Sequence, residues 1–382
     1  MIYLDNNATT PLSPNVHEAM LPFLGASFGN PSSAHAAGRE ARKFVEKARV
    51  SVAGLLGADP GEIVFTSGGT ESDNLSITGA LAARPGKKHI VTTRVEHEAV
   101  RKLCEKLELE GREVSWLDVD DNGELDLEQL RQAVRSDTAI VSVMLANNET
   151  GILFPVDKVA EIVKERSDAL VHVDGVNAVG KIPIDLSTGL IDLFSVSAHK
   201  FHGPKGIGAL YVRDGVDLSP MSIGGGQESD RRAGTEAVHQ IVGMGAAAEF
   251  VRDMSEMENV RRLRDKLEQS ILQHIPIAAL NGTGDVSRRL PNTSNISFEG
   301  LNGEAILAEL DDAGICVSTG SACNAAGHRT SAVLEAMNVP YTRAMGAVRF
   351  SLSRFNSEAE IVEVLDVLAA IVTRLSQLAG RA

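Results

Sequence analysis

Short runs that are apolar almost throughout recur along the first two thirds of the chain. They are "EIVFTS" (62–67), "HIVTT" (89–93), "EVSWLDV" (113–119), "TAIVSVML" (138–145), "ALVHVD" (169–174), "DLFSVSAH" (192–199) and "IGALYVR" (207–213). Continuous apolar character over this length predicts strands covered on both faces. Between the runs, helical periodicity covers 71–83, 97–110, 125–134 and 156–167. Such alternation from Ser33 to about Met254 predicts an α/β layer structure with a mostly parallel seven-stranded sheet sandwiched by helices. The tight "HGPKG" turn before the last run predicts one antiparallel strand.

A charged amphipathic stretch, "SEMENVRRLRDKLEQSILQHI" (255–275), reads as a helix leaving this unit. Beyond it the pattern changes. "NTSNISFEG" (292–300), a helix at 303–313, "ICVSTGSAC" (315–323), "AVRFSLSRF" (347–355) and a final helix near 357–378 predict a smaller α+β domain. The expected division is a large domain over 15–255 and a small one from 1–14 and 256–382, which carries a cysteine-bearing loop at about 318–332.

A length of 382 residues favours two cores over one. The net charge of −14 argues against non-specific binding to nucleic acid or to an anionic membrane. No apolar run is long enough to span a bilayer, and "MIYLDNNATTPLSP" has no signal-peptide pattern. Three cysteines make neither a disulfide framework nor a zinc motif. A cytoplasmic protein is expected.

Ligands of open α/β sheets bind beyond the carboxyl ends of the strands. There the first run delivers "GGTESDN" (68–74) into a helix. With Ser67 and Thr70 this is either an anion cup or an ordinary strand-to-helix turn. The second leads to His97, a stacking ring or a helix cap. The fourth delivers Asn147 and Asn148 in a turn-rich "ANNETG". The fifth ends in Asp174, which needs a salt bridge, a cap or a pyridinium nitrogen as partner. The sixth ends in Lys200, flanked by Ser197 and His199. A partly desolvated lysine forms Schiff bases, unless a carboxylate satisfies it. Each signal is weak alone. In this order they are the set that pyridoxal phosphate requires, namely a phosphate site, an acid at the ring nitrogen and an amine for the aldehyde.

Cys323, among the small polar residues of "STGSACNAAGHR" (318–329), reads as a reactive thiol. Cys104 and Cys316 read as small core residues. Arg349, inside an apolar strand pattern, implies a substrate carboxylate or a bridge between domains. The glycine-rich "GGGQESDRRAGTE" (224–236), with Arg232 and Thr235, is suited to closing over the phosphate from a second subunit.

The sequence resembles the cysteine desulfurases of the NifS/IscS type, within the fold-type-I pyridoxal-phosphate enzymes. The motifs that carry the resemblance run nearly end to end. They are "YLDNNATT", "FGNPSSAH", "IVFTSGGTESDN", "EHEAV", "VSVMLANNETG", "HVDGVNAVGKIPIDL", "SAHKFHGPKGIGALYVR", "RRAGTE", "LPNTSNISF", "STGSAC" and "VRFSLSRF". The resemblance implies removal of sulfur from L-cysteine, giving L-alanine and a persulfide on Cys323. Gly69, Thr70, Ser197 and His199 would hold the cofactor phosphate, with Thr235 reaching it from the partner of a homodimer. His97 would stack on the ring and assist proton transfer. Asn148 and Asn177 would lie near the ring oxygen, Asp174 at the ring nitrogen, and Lys200 would carry the Schiff base. Arg349, with Asn148, would bind the substrate carboxylate.

An IscU/NifU-like scaffold or another sulfur acceptor is the implied partner, with a transient [2Fe-2S] cluster touching Cys323 there. Residues Asn324 to Val333 match the long loop of this branch. A selenocysteine lyase or a class V aminotransferase is the alternative, and the latter needs no Cys323. Several positions depart from the family pattern. Asn177 stands for Gln, Gly175 for Ala, Ser229 for Arg, Met345 for His and Thr330 for Pro.

Overall fold

The computed structural model describes residues 1–187, 189–319 and 330–380. Its strands are β1 (Ile2–Tyr3), β2 (Ile63–Thr66), β3 (His89–Thr93), β4 (Glu113–Leu117), β5 (Thr138–Met144), β6 (Leu170–Asp174), β7 (Leu193–Ser197), β8 (Gly208–Val212), β9 (Ala278–Leu280), β10 (Thr293–Phe298), β11 (Ile315–Cys316) and β12 (Ala347–Ser351). All seven apolar runs are strands, and they form one sheet in the order β2-β8-β7-β6-β5-β3-β4. The expected antiparallel strand is β8, which opposes both β7 and β2, while the other pairings are parallel. Two reversals return β2 to the direction of β7. The chain therefore leaves β2, β3, β5, β6 and β7 at one common edge. That edge is where the site lies.

Residues in the sheet alternate between two covered faces. Ile63 and Phe65 of β2 and Ala209 and Tyr211 of β8 face a core shared with the helices Ala36–Leu56, Val156–Arg166 and Val238–Val251. Val64, Leu210 and Val212 face the opposite core, with the helices Gly69–Ala83 and Glu98–Leu109. The exception to full burial is β4. It is an edge strand, mostly half-exposed, with Glu113 in water. The helix Val238–Val251 escapes a periodicity search because its sequence, "VHQIVGMGAAAEFV", has almost no polar face.

The three-stranded antiparallel sheet β12-β10-β9 lies under the helices Glu256–His274, Gly303–Asp312 and Glu358–Leu378. Val260, Leu267, Phe298, Ile306, Phe350 and Leu368 form its separate core, which Leu4 joins. Of the run 315–323, the described residues 315–319 hold the strand Ile315–Cys316, paired with β1. Beyond it Ser318 bridges to Arg349. We take 15–255 against 1–14 plus 256–382 as the working division between the two units.

Candidate active site

A cavity of about 370 Å³ opens at the common edge. Gly69, Thr70, His97, Asn148, Asp174, Asn177, Ser197, His199 and Lys200 line it from the large sheet, and Arg349 closes it from β12. Thr235 is exposed and does not line it. Cys323 lies outside the described residues.

The glycine-rich turn after β2 starts the helix Gly69–Ala83 without a side-chain cap. Its first N–H groups are therefore left for a ligand. Gly68 holds φ at +152°, and a Cβ on Gly69 would fall 2.7 Å from Val176 Cγ2. Glu71 is drawn away from this cup. It accepts from Ser67 N at 2.7 Å and pairs with Arg232 at 2.9 Å. His199 places Nδ1 3.2 Å from Thr9 Oγ1, and burial pushes its pKa down to about 4. A neutral ring, a serine hydroxyl and uncapped amides suit a phosphate monoester.

His97 is the helix cap that one reading of the sequence expected, and it also lines the cavity. Its Nδ1 caps the helix Glu98–Leu109 by accepting from Ala99 N at 3.1 Å, while the ring lines the cavity. Because Nδ1 accepts, the proton of the neutral ring sits on Nε2. Burial lowers its pKa, against the opposing pull of Asp174.

Asp174 is 5 % exposed and accepts from Val176 N at 2.9 Å. Burial raises its pKa, while His97 and Lys200 draw it back down. The buried groups around it are shifted toward their neutral forms. Burial, and then the charge of Asp174, raises the pKa of Asp73 well above the usual carboxylate range. Glu96 is pushed up to about 8 by burial. His172, between Ser142 at 2.8 Å and Ser195 at 2.9 Å, is pushed by burial down to about 3. Asp174 is the acid of the cluster that His97 and Lys200 draw toward its charged form, and a buried carboxylate facing a cavity calls for a cation. A protonated ring nitrogen meets that need.

Gly175 departs from the family pattern for a steric reason. A Cβ there would fall 1.9 Å from Phe194 Cζ.

Lys200 sits just past β7, on the turn Ala198–Lys200, and its Nζ donates to the carbonyls of Asn7 and Ala8. Arg349 donates to Asp5 Oδ1 at 2.7 Å and to Asn148 O at 3.0 Å. Its buried Nε has no partner among the described residues. The salt bridge lies within the small unit, to which Asp5 and Arg349 both belong, and only the hydrogen bond to Asn148 O reaches the large one; the unpaired Nε leaves capacity for an anion.

The residue-by-residue reading missed Asp73 and Lys181 and left Asp5 and Asn7 unassigned. Asp73 follows Gly69 by one helical turn, and Lys181 follows Asn177 by the same spacing, so position i+4 was the available signal. Asp5 and Asn7 come from the N-terminal segment, whose place beside β12 no local pattern announces.

The Aminotransferase class-V family model matches residues 2–364. A protein named cysteine desulfurase from Nostoc sp. is 52% identical over 380 residues, covering 99% of this chain and 94% of that relative. Cysteine desulfurase NifS of Azotobacter vinelandii is 49% identical over 377 residues, covering 98% and 93%. A solved NifS-like protein superposes with a TM-score of 0.92 at 40% identity, covering 98% of this chain and all of that one. A structure titled SspA in complex with cysteine gives a TM-score of 0.83 at 34% identity, covering 94% and 100%.

Proposed function

The chain belongs to the class-V aminotransferase family, among its cysteine desulfurases, and from that membership we propose that it moves sulfur from L-cysteine to Cys323 and releases L-alanine. The observation that carries the assignment of the site is one cavity holding Lys200, Asp174 and an uncapped helix start. These residues fit pyridoxal phosphate. Lys200 would hold its aldehyde, Asp174 its ring nitrogen, and Gly69, Thr70, Ser197 and His199 its phosphate, with His97 over the ring and Asn148 and Asn177 near the ring oxygen. When bound, that cofactor supplies an electron-withdrawing ring conjugated to the substrate α-carbon.

The chain's own residues do the rest. Arg349 and the Asn148 turn orient the substrate carboxylate. Lys200, as a neutral amine, takes the α-proton, and the Nε2–H of His97 is placed to donate one. The Cys323 thiolate attacks the substrate sulfur, forming an S–S bond as the Cβ–S bond breaks. The electron pair stays with carbon, which gains a proton. One thiol and one cysteine become one persulfide and one alanine, with no outside reductant.

The other cysteines are unsuited to this role. Burial pushes Cys104 up to about 12, away from the reactive thiolate. Cys316 is raised by burial as well and is tied into β11.

Homodimerisation belongs to the same proposal. Thr235 is exposed and away from its own cavity, and Leu21, Leu24, Phe28 and Ile223 lie exposed. The onward acceptor we propose is a cytoplasmic iron–sulfur scaffold, where a two-iron cluster is cargo.

Purified protein with added cofactor should show a visible absorbance band and produce alanine and sulfide from cysteine with a thiol present. Cys323→Ala should keep the band and lose turnover. Full turnover in that variant would refute the persulfide route.

A further inference from the structure

Lys181 is 7 % exposed and sits behind Asn177, lining a small separate pocket next to Lys200. Its Nζ donates to Asn177 O at 2.7 Å and to Asn177 Oδ1 at 3.0 Å. The charges that bear on it, Lys200 and Arg349, are both positive, and burial drives its pKa well below that of a free lysine. A buried amine beside two cations is costly. A methionine would fill the space without that cost, so the amine must do something there.

Nδ2 faces the Asn147 carbonyl, which only accepts, and the Lys181 amine donates to Oδ1, so these contacts fix which way the Asn177 amide points. Asn177 itself lines the cavity. The contact of Nδ2 with Asn147 O, at 3.4 Å, is at the outer limit of a hydrogen bond. The NH₂ group is therefore left to serve a ligand. Asn177 stands where the resembling family has the longer Gln, so a short amide here depends on a fixed anchor.

We propose that Lys181 is a positioning residue. It pins Asn177 so that the amide donates to the ring oxygen of the bound cofactor. This rests on the functional assignment above. The charged and titratable groups around this corner are Lys200 and His199 after β7, His202 beyond them, Asp174 from β6, His97 from its helix start and Arg349 from β12. Against that fixed set, removing Lys181 acts in one direction. Loosening a donor to the ring oxygen lets the nitrogen joining Lys200 to the cofactor keep its proton to higher pH.

The test is a pH titration of the visible band of the loaded enzyme, with equilibrium titration of the apo-chain by pyridoxal phosphate. Lys181→Met should raise the spectral midpoint by about half a pH unit or more and weaken cofactor affinity roughly three- to tenfold. Lys181→Gln keeps an N–H donor without the charge. It should restore most of the affinity, and it serves as the test if the methionine variant does not fold. In an Asn177→Leu background the affinity loss from Lys181→Met should vanish. An unchanged midpoint overturns the inference. An equal affinity loss in both backgrounds overturns the route through Asn177. A wild-type chain with no band overturns the functional assignment and this inference with it.

Discussion

On one side of the cavity, separate strands of the large sheet deliver Asp174, Lys200 and His97 to a common edge. On the other, Arg349 of β12 is held between Asp5 and the Asn148 carbonyl. The first wall gets its chemistry from burial. Asp73, Glu96 and His172 crowd around Asp174 and are shifted toward their neutral forms, while His97 and Lys200 favour the charge of Asp174. The second wall gets its chemistry from pairing, with a guanidinium already half engaged. A wall of buried acids acts through cofactor electronics. A wall of paired cations acts through substrate binding. Mutations should therefore separate into effects on kcat and effects on KM.

The largest separation is expected at Asp174. Asp174→Asn keeps size and removes charge, so kcat should fall about a hundredfold or more and cofactor affinity should drop with it. Steady-state kinetics with cofactor titration checks this. A variant with normal kcat and raised KM would erase the distinction between the walls. Arg349→Lys is the complementary change. It keeps charge but loses the planar fork that reaches Asp5 and Asn148 together. KM for cysteine should rise about tenfold while the visible spectrum of the loaded enzyme stays that of the parent. A changed spectrum would mean that Arg349 belongs to the cofactor wall.

The two walls were not equally legible in the sequence. Asp174 ends β6 and Lys200 follows β7 by three residues, and both strands are mostly apolar, so their runs marked where the chain reaches the edge of the sheet. The seven strands emerged within a residue or two for the same reason. What stayed hidden was the support. His172 lies inside a strand and Glu96 just past the end of another, where a buried polar group looks like any other residue until its neighbours in the next strand are known. Asp5 meets Arg349 only because β1 and β12 converge from opposite ends of the chain, with Asp5 bridged to Ser351. No local rule predicts a contact across that separation. Lys181 was quoted within "VGKIPIDL" but not read as chemistry, because nothing in the spacing says that the helical turn after Asn177 is buried.

The smallest effect on activity, and the sharpest check on the buried wall, is expected from Glu96→Gln. Glu96 Oε1 accepts from Thr93 Oγ1 at 2.8 Å and from Met144 N at 3.0 Å, while Oε2 has no partner among the described residues. A glutamine keeps both accepted bonds and carries no charge. In the folded chain Glu96 titrates at about 8, against about 4.3 when unfolded. Between those two values the folded state holds the extra proton. The stability this group contributes is therefore full below about pH 4 and is lost as pH rises through 8. The variant has no such loss. The stability difference, variant minus parent, should grow by up to about 1.4 kcal/mol per pH unit across that window, other titrations cancelling because both chains share them. Urea unfolding at pH 5 and pH 8 measures it. Parallel stability curves for the two chains would show Glu96 ionised in the fold. Asp174 would then face a second negative charge behind it, and the contrast between a single-charge wall and a paired-cation wall would no longer hold.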